Sequence, residues 1–138
     1  MATGRRLVIS ASRRTEILHF PDRLLSALDT HPPETVHTVV IWTKNPGLLF
    51  QHGEVLSRLK EYDQLFFHVT VTGMGSTALE PGVPKMEEAL SLLPRVVEVA
   101  GSGERVTVRF DPIVNLSGPK VPRFTNIGLF PQVARGAV

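Results

Sequence analysis

Four short runs rich in β-branched and aromatic residues recur along the chain, at 6–11, 36–43, 65–72 and 105–110. Each is bounded by polar or turn-forming residues, which marks it as a strand. Between them lie apolar positions at helical spacing. Leu24, Leu25 and Leu28 give one such face, in a helix that Pro21 is suited to open and that His31-Pro32-Pro33 stops. Val55, Leu56 and Leu59 give the next, over 53–62. A third helix spans 85–100, with Pro94 expected to break it and open a second piece, and Gly101-Ser102-Gly103 ends it. Lys44-Asn45-Pro46-Gly47 and Gly73-Met74-Gly75-Ser76 carry turn chemistry after strands two and three.

The order β-α-β-α-β-α-β predicts an α/β fold of four parallel strands joined by right-handed crossovers. An open sheet and part of a (β/α) barrel both fit. A complete eight-unit barrel takes roughly 250 residues, so four units predict half of a (β/α) barrel over 1–114. Residues 115–138 read as a poorly ordered tail or the start of a truncated next unit, with a hint of helix at 130–133.

The strands are not apolar on both faces, as parallel strands buried between helices usually are. Taken by alternate positions, Leu7, Ile9 and Ala11, then Val39, Ile41 and Thr43, then Leu65, Phe67, Val69 and Val71, then Val106, Val108 and Phe110 form one side. The other side turns polar toward the strands' C-terminal ends: Ser10 and Ser12, Trp42 and Lys44, His68, Thr70 and Thr72, Arg109 and Asp111. A buried polar group without a partner costs on the order of 1–3 kcal/mol. Such side chains therefore fit a wet cavity, at the end where parallel α/β folds bind ligands. The plainer reading is an open sheet whose polar face meets water, with Arg109 and Asp111 a surface ion pair.

Composition narrows the chemistry. Fifteen Lys and Arg against thirteen Asp and Glu leave a formal charge of only +2, which gives no ground for a nucleic-acid or membrane partner. There is no cysteine, which excludes a disulfide framework, a thiol nucleophile and a cysteine-held cluster within these residues. The apolar run behind Arg5 and Arg6 is too short for a signal-peptide core, and no run approaches membrane-spanning length. A cytoplasmic protein is the expectation. The five histidines are scattered, and none makes a metal-ligand pair at helical spacing; no metal site is expected.

Among the motifs, Ser10-x-Ser12-Arg13-Arg14-Thr15 brings hydroxyls and guanidiniums to a strand end. Arginine forks match phosphate or carboxylate oxygens; a solvated loop with a capping hydroxyl is the bland alternative. Trp42-Thr43-Lys44-Asn45-Pro46 sets a ring, an ammonium and an amide together, or is simply an Asn-Pro turn with an exposed lysine. Thr72-Gly73-Met74-Gly75-Ser76 lacks a Walker lysine and is weak as a nucleotide cradle; its glycines suit a tight loop or close ligand approach. In Arg109-Phe110-Asp111-Pro112, one carboxylate does not make an acid–base pair. Glu80 reads as the organiser of its loop, and His68 as a hydrogen-bonded core histidine.

Taken together, Ile9-Ser10-Ala11-Ser12-Arg13-Arg14-Thr15, Trp42-Thr43-Lys44-Asn45-Pro46, Thr72-Gly73-x-Gly75 with Glu80-Pro81-x-x-Pro84, and Arg109-Phe110-Asp111-Pro112-Ile113 resemble the domain-of-unknown-function family eighteen-forty-eight (DUF1848). The resemblance implies a barrel-like α/β enzyme, distantly similar to radical S-adenosylmethionine proteins, with an iron–sulfur cluster and S-adenosylmethionine as its cofactors and a cysteine cluster toward the C-terminus. This chain departs from that pattern, since it has no cysteine.

The expectation is therefore the N-terminal half of a barrel enzyme, inactive without the cluster-bearing half. Ser10, Ser12, Arg13, Arg14, Lys44, Asn45, Thr72, Gly73, Arg109 and Asp111 would line a site for a small anionic or polar ligand, with no catalytic residue assigned. Open sheet edges predict self-association. A free-standing phosphate- or metabolite-binding module and an inactive remnant are the rival expectations.

Overall fold

The computed structural model describes residues 4–11 and 14–138, with Val121 described by its backbone alone. Four strands form where the apolar runs place them: β1 (Leu7–Ala11), β2 (Val36–Thr43), β3 (Leu65–Thr70) and β4 (Val106–Arg109). All neighbouring pairs are parallel, in the order β1-β2-β3-β4. The intervening helices are α1 (Pro21–Asp29), α2 (Gly47–Gln51), α3 (Gly53–Leu59), α4 (Met86–Ser91) and α5 (Leu93–Ala100). Pro94 lies in the first turn of α5, where its missing N–H costs nothing. The expected break therefore falls between Ser91 and Leu93. Gly101, at φ 83°, ends α5 in the left-handed conformation that glycine adopts without strain.

Consecutive strand order with right-handed crossovers puts every helix on the same side of the sheet. That side is the apolar one. Leu24 and Leu28 of α1, Val55 and Leu59 of α3, and Val96 and Ala100 of α5 are buried with Val39, Ile41, Phe67 and Val69 of the strands in one core. The opposite face is not closed over: Val8, Ser10 and Thr107 are exposed, and Val40, Trp42, Phe66 and His68 are half-buried.

Residues 115–138 form two further strands and a helix. β5 (Asn115–Gly118) and β6 (Val121–Thr125) pair as an antiparallel hairpin, and α6 (Phe130–Gly136) packs beside α4. The fully buried Asn126 holds this part to the sheet. Its amide donates to the carbonyls of Thr72 (3.0 Å) and Pro112 (2.9 Å) and accepts from the Val114 N–H (2.9 Å). The sequence reading saw only the start of α6; the hairpin's strands are short and exposed, and no alternation of polar and apolar residues announces them.

Tyr62 closes the other end of the core. Its ring is buried and its hydroxyl proton is shared between the carbonyls of His31 (2.7 Å) and Leu28 (3.1 Å), just beyond and at the end of α1; the Leu28 carbonyl also accepts the His31 N–H (3.0 Å). Burial raises the Tyr62 pKa above its ordinary value of 10.0. Tyr62→Phe is expected to cost roughly 1–2 kcal/mol in denaturant unfolding at neutral pH. The neutral phenol's contribution is complete below about pH 10 and is lost as pH rises through the raised folded value. The stability gap between wild type and Tyr62→Phe should therefore be flat up to about pH 10 and shrink above it.

Candidate functional site

The strands deliver their polar ends to one mouth. A cavity of about 330 Å³ lies there, walled among the described residues by Arg14, Thr15, Glu16 and His19 from the segment after β1, by Trp42, Thr43, Lys44 and Asn45 from β2 and its end, by Thr70, by Gly82 and Val83, and by Arg109, Asp111 and Pro112 after β4. Its volume is at the lower end of the range for small-molecule sites, roughly 300–1,000 Å³.

Glu16 builds one wall. Its carboxylate accepts from the Thr43 hydroxyl (2.9 Å) and the backbone N–H groups of Lys44 (2.8 Å) and Asn45 (3.3 Å), and its other oxygen accepts from the Leu18 N–H (3.4 Å). The amides at the end of β2 form a concavity suited to an anion, and the chain's own carboxylate fills it. Thr43 follows Val39 and Ile41 on the helix-covered side of β2, and it is buried; Glu16 gives its hydroxyl a partner.

Glu80, from the loop after β3, braces the wall at Lys44. Its side chain is only 11% exposed. It takes the Lys44 ammonium in an ion pair and a hydrogen bond from the Thr72 hydroxyl. The loop that carries it is bound tightly to itself. Ser76 N–H donates to the Glu80 carbonyl (3.0 Å), and a Cβ on Gly75 would lie 1.8 Å from the Pro84 carbonyl oxygen. Only glycine allows that approach.

Trp42 is the platform across the uncovered face. Its indole N–H donates to the Ser10 hydroxyl (2.9 Å). The His68 ring stacks on it at 4.1 Å with 12° between the planes. The Arg109 guanidinium lies 4.8 Å from its ring centre, an attraction of roughly 0.5–2 kcal/mol. Arg109 also pairs with Asp111 at 2.9 Å, but that carboxylate is 60% exposed, so the pair contributes well under about 1 kcal/mol and is easily exchanged for another anion. The exposed Arg14 makes no hydrogen bond or ion pair among the described residues.

Of the residues expected to line a site, Arg14, Lys44, Asn45, Arg109 and Asp111 meet at the mouth. Ser10 lies lower on the sheet, under the Trp42 indole. Thr72 is engaged with Glu80 and with the Met74 N–H. Gly73, at φ 76°, makes room for Leu129, whose Cδ1 would be 2.6 Å from a Cβ there. Ser12 and Arg13 lie outside the described residues. Glu16 and Asn126 were missed altogether, and Glu80 was seen only as a loop organiser. The lone signal for Glu16 was Thr43, a hydroxyl in line with Val39 and Ile41 on one strand face.

Fold and mouth together define a singly wound parallel α/β protein with a polar cavity at the C-terminal strand ends. The chain belongs to the domain-of-unknown-function family DUF1848, whose profile matches residues 25–134. No curated protein and no solved structure matches it. No helix among the described residues is long and apolar enough to cross a membrane.

The Glu16 clamp is testable without a ligand. In Glu16→Ala, the amide protons of Lys44 and Asn45 should exchange with solvent at least about ten-fold faster than in wild type, because local opening no longer breaks charge-assisted bonds. Hydrogen-exchange NMR of the two proteins makes the comparison.

Proposed function

We propose that this chain is half of a barrel-type α/β protein and that its mouth binds a small anionic ligand, such as a phosphate or carboxylate compound, through Arg14 and Arg109. The observation that carries this reading is the contrast among the three cations at the mouth. Lys44 is committed to the largely buried Glu80. Arg109 holds only an exposed, exchangeable Asp111 while its guanidinium is kept in place over Trp42. Arg14 has no internal anion among the described residues. Two guanidiniums facing one cavity offer forked N–H donors to phosphate or carboxylate oxygens. The Lys44–Glu80 pair and the Glu16 clamp serve as walls.

The half-barrel part of the reading is supported by the winding: consecutive parallel strands with helices on one side are the repeating unit of a (β/α) barrel. The iron–sulfur cluster that the resemblance implies does not fit this set of donors. The chain has no cysteine thiolate, and no group of three or more His, Asp or Glu among the described residues is placed to hold a metal.

Titration with inorganic phosphate and with a small dicarboxylate, followed by NMR shifts of the Trp42 indole and the Arg109 amide, tests the ligand part. Arg14→Ala and Arg109→Ala should each weaken binding by about five-fold or more, which corresponds to one lost charge-assisted hydrogen bond at an open site. Lys44→Ala should change it less. Saturable binding that none of these substitutions alters would refute the grip.

A further inference from the structure

The sheet has two features that call for a partner. Its uncovered face carries apolar side chains below the mouth, with Val8 65% exposed and Val40 and Phe66 half-buried. The outer edges of β1 and β4 pair with no strand among the described residues. Exposed sheet edges present unpaired N–H and C=O groups to any strand that can reach them.

We propose that the occupant is a second copy of this chain. Two copies would pair β1 of one with β4 of the other, twice, and close an eight-stranded parallel barrel around the uncovered faces. The proposal rests on the half-barrel part of the reading above and not on its ligand part.

Three observations favour a second copy over another partner. First, the count closes: four strands from each copy make eight, the number at which a parallel barrel fills its own interior with side chains. Rotation about a two-fold axis along the barrel keeps all strands running the same way, so both junctions are identical and no edge is left for a third copy. Second, the edges match in length, with five residues in β1 and four in β4. Third, one pair of residues beyond the strands is opposite in charge: the exposed Arg14 follows β1 and the exposed Asp111 follows β4, while the residues before the strands are mixed, with Arg5 and Arg6 before β1 and Glu104 and Arg105 before β4. Parallel pairing of β1 with β4 brings Arg14 of one copy toward Asp111 of the other. Each mouth would then be walled by both copies.

Mass measurement by light scattering and sedimentation equilibrium, in buffer without phosphate or carboxylate, tests this. The expected mass is twice the 15.2 kDa of the chain, approached as concentration rises from micromolar to millimolar. Val8→Lys, which places a charge on the face to be enclosed, should give a monomer with an unchanged circular dichroism spectrum. Arg14→Asp and Asp111→Arg should each weaken the dimer at least ten-fold, and the two together should recover most of that loss. A monomer at all concentrations, open-ended oligomers, or a dimer that ignores all of these substitutions would overturn the proposal. A monomer that still binds phosphate overturns only the pairing; a dimer that binds no anion overturns only the ligand reading.

Discussion

Strand order governs this structure. Each new strand is laid parallel beside the last, the arrangement that right-handed β-α-β crossovers give. With no reversal of strand order, α1, α3 and α5 all land on one side of the sheet. Val39, Ile41, Phe67 and Val69 are buried there with the helices' leucines and valines. The other side is left for residues that tolerate water or cover one another, such as the Trp42–His68 stack. The polar ends of that side face a cavity walled by the segments after β1, β3 and β4 together with the end of β2.

The electrostatics of the mouth are arranged by carboxylates from loops. Glu16 fills the amide concavity at the end of β2, and Glu80 holds the ammonium of Lys44. Both come from the segment after a neighbouring strand, so each binds one βα unit to the next. The consequence is a division among cations of similar formal charge. An ammonium held by a largely buried carboxylate is part of the frame, whereas a guanidinium held by an exposed one is available. Residue type alone could not separate Lys44 from Arg109; their partners do.

Most of the fold was legible because it rests on local signals: alternation in the strands, leucine spacing in α1 and α3, Pro21 and Pro94 at helix starts, and Gly101 at a helix end. The position of the mouth followed from the polar ends of four strands. What was not legible depends on contacts far apart in the chain. Nothing near Glu16 indicates that its oxygens meet amides 28 and 29 residues later. Nothing near Asn126 indicates a bond to Thr72, 54 residues earlier. Gly73 was read as a place of ligand approach; close approach is indeed what it permits, but the neighbour is Leu129.

Thr72 has a particular position in this arrangement. Its hydroxyl donates to Glu80, the carboxylate that holds Lys44, and its carbonyl accepts from Asn126, which also binds Pro112 and Val114. This residue, two positions beyond β3, therefore joins Glu80 to the C-terminal hairpin. The side chain of this residue serves the wall and its carbonyl serves the hairpin, so the two attachments share one position in the chain.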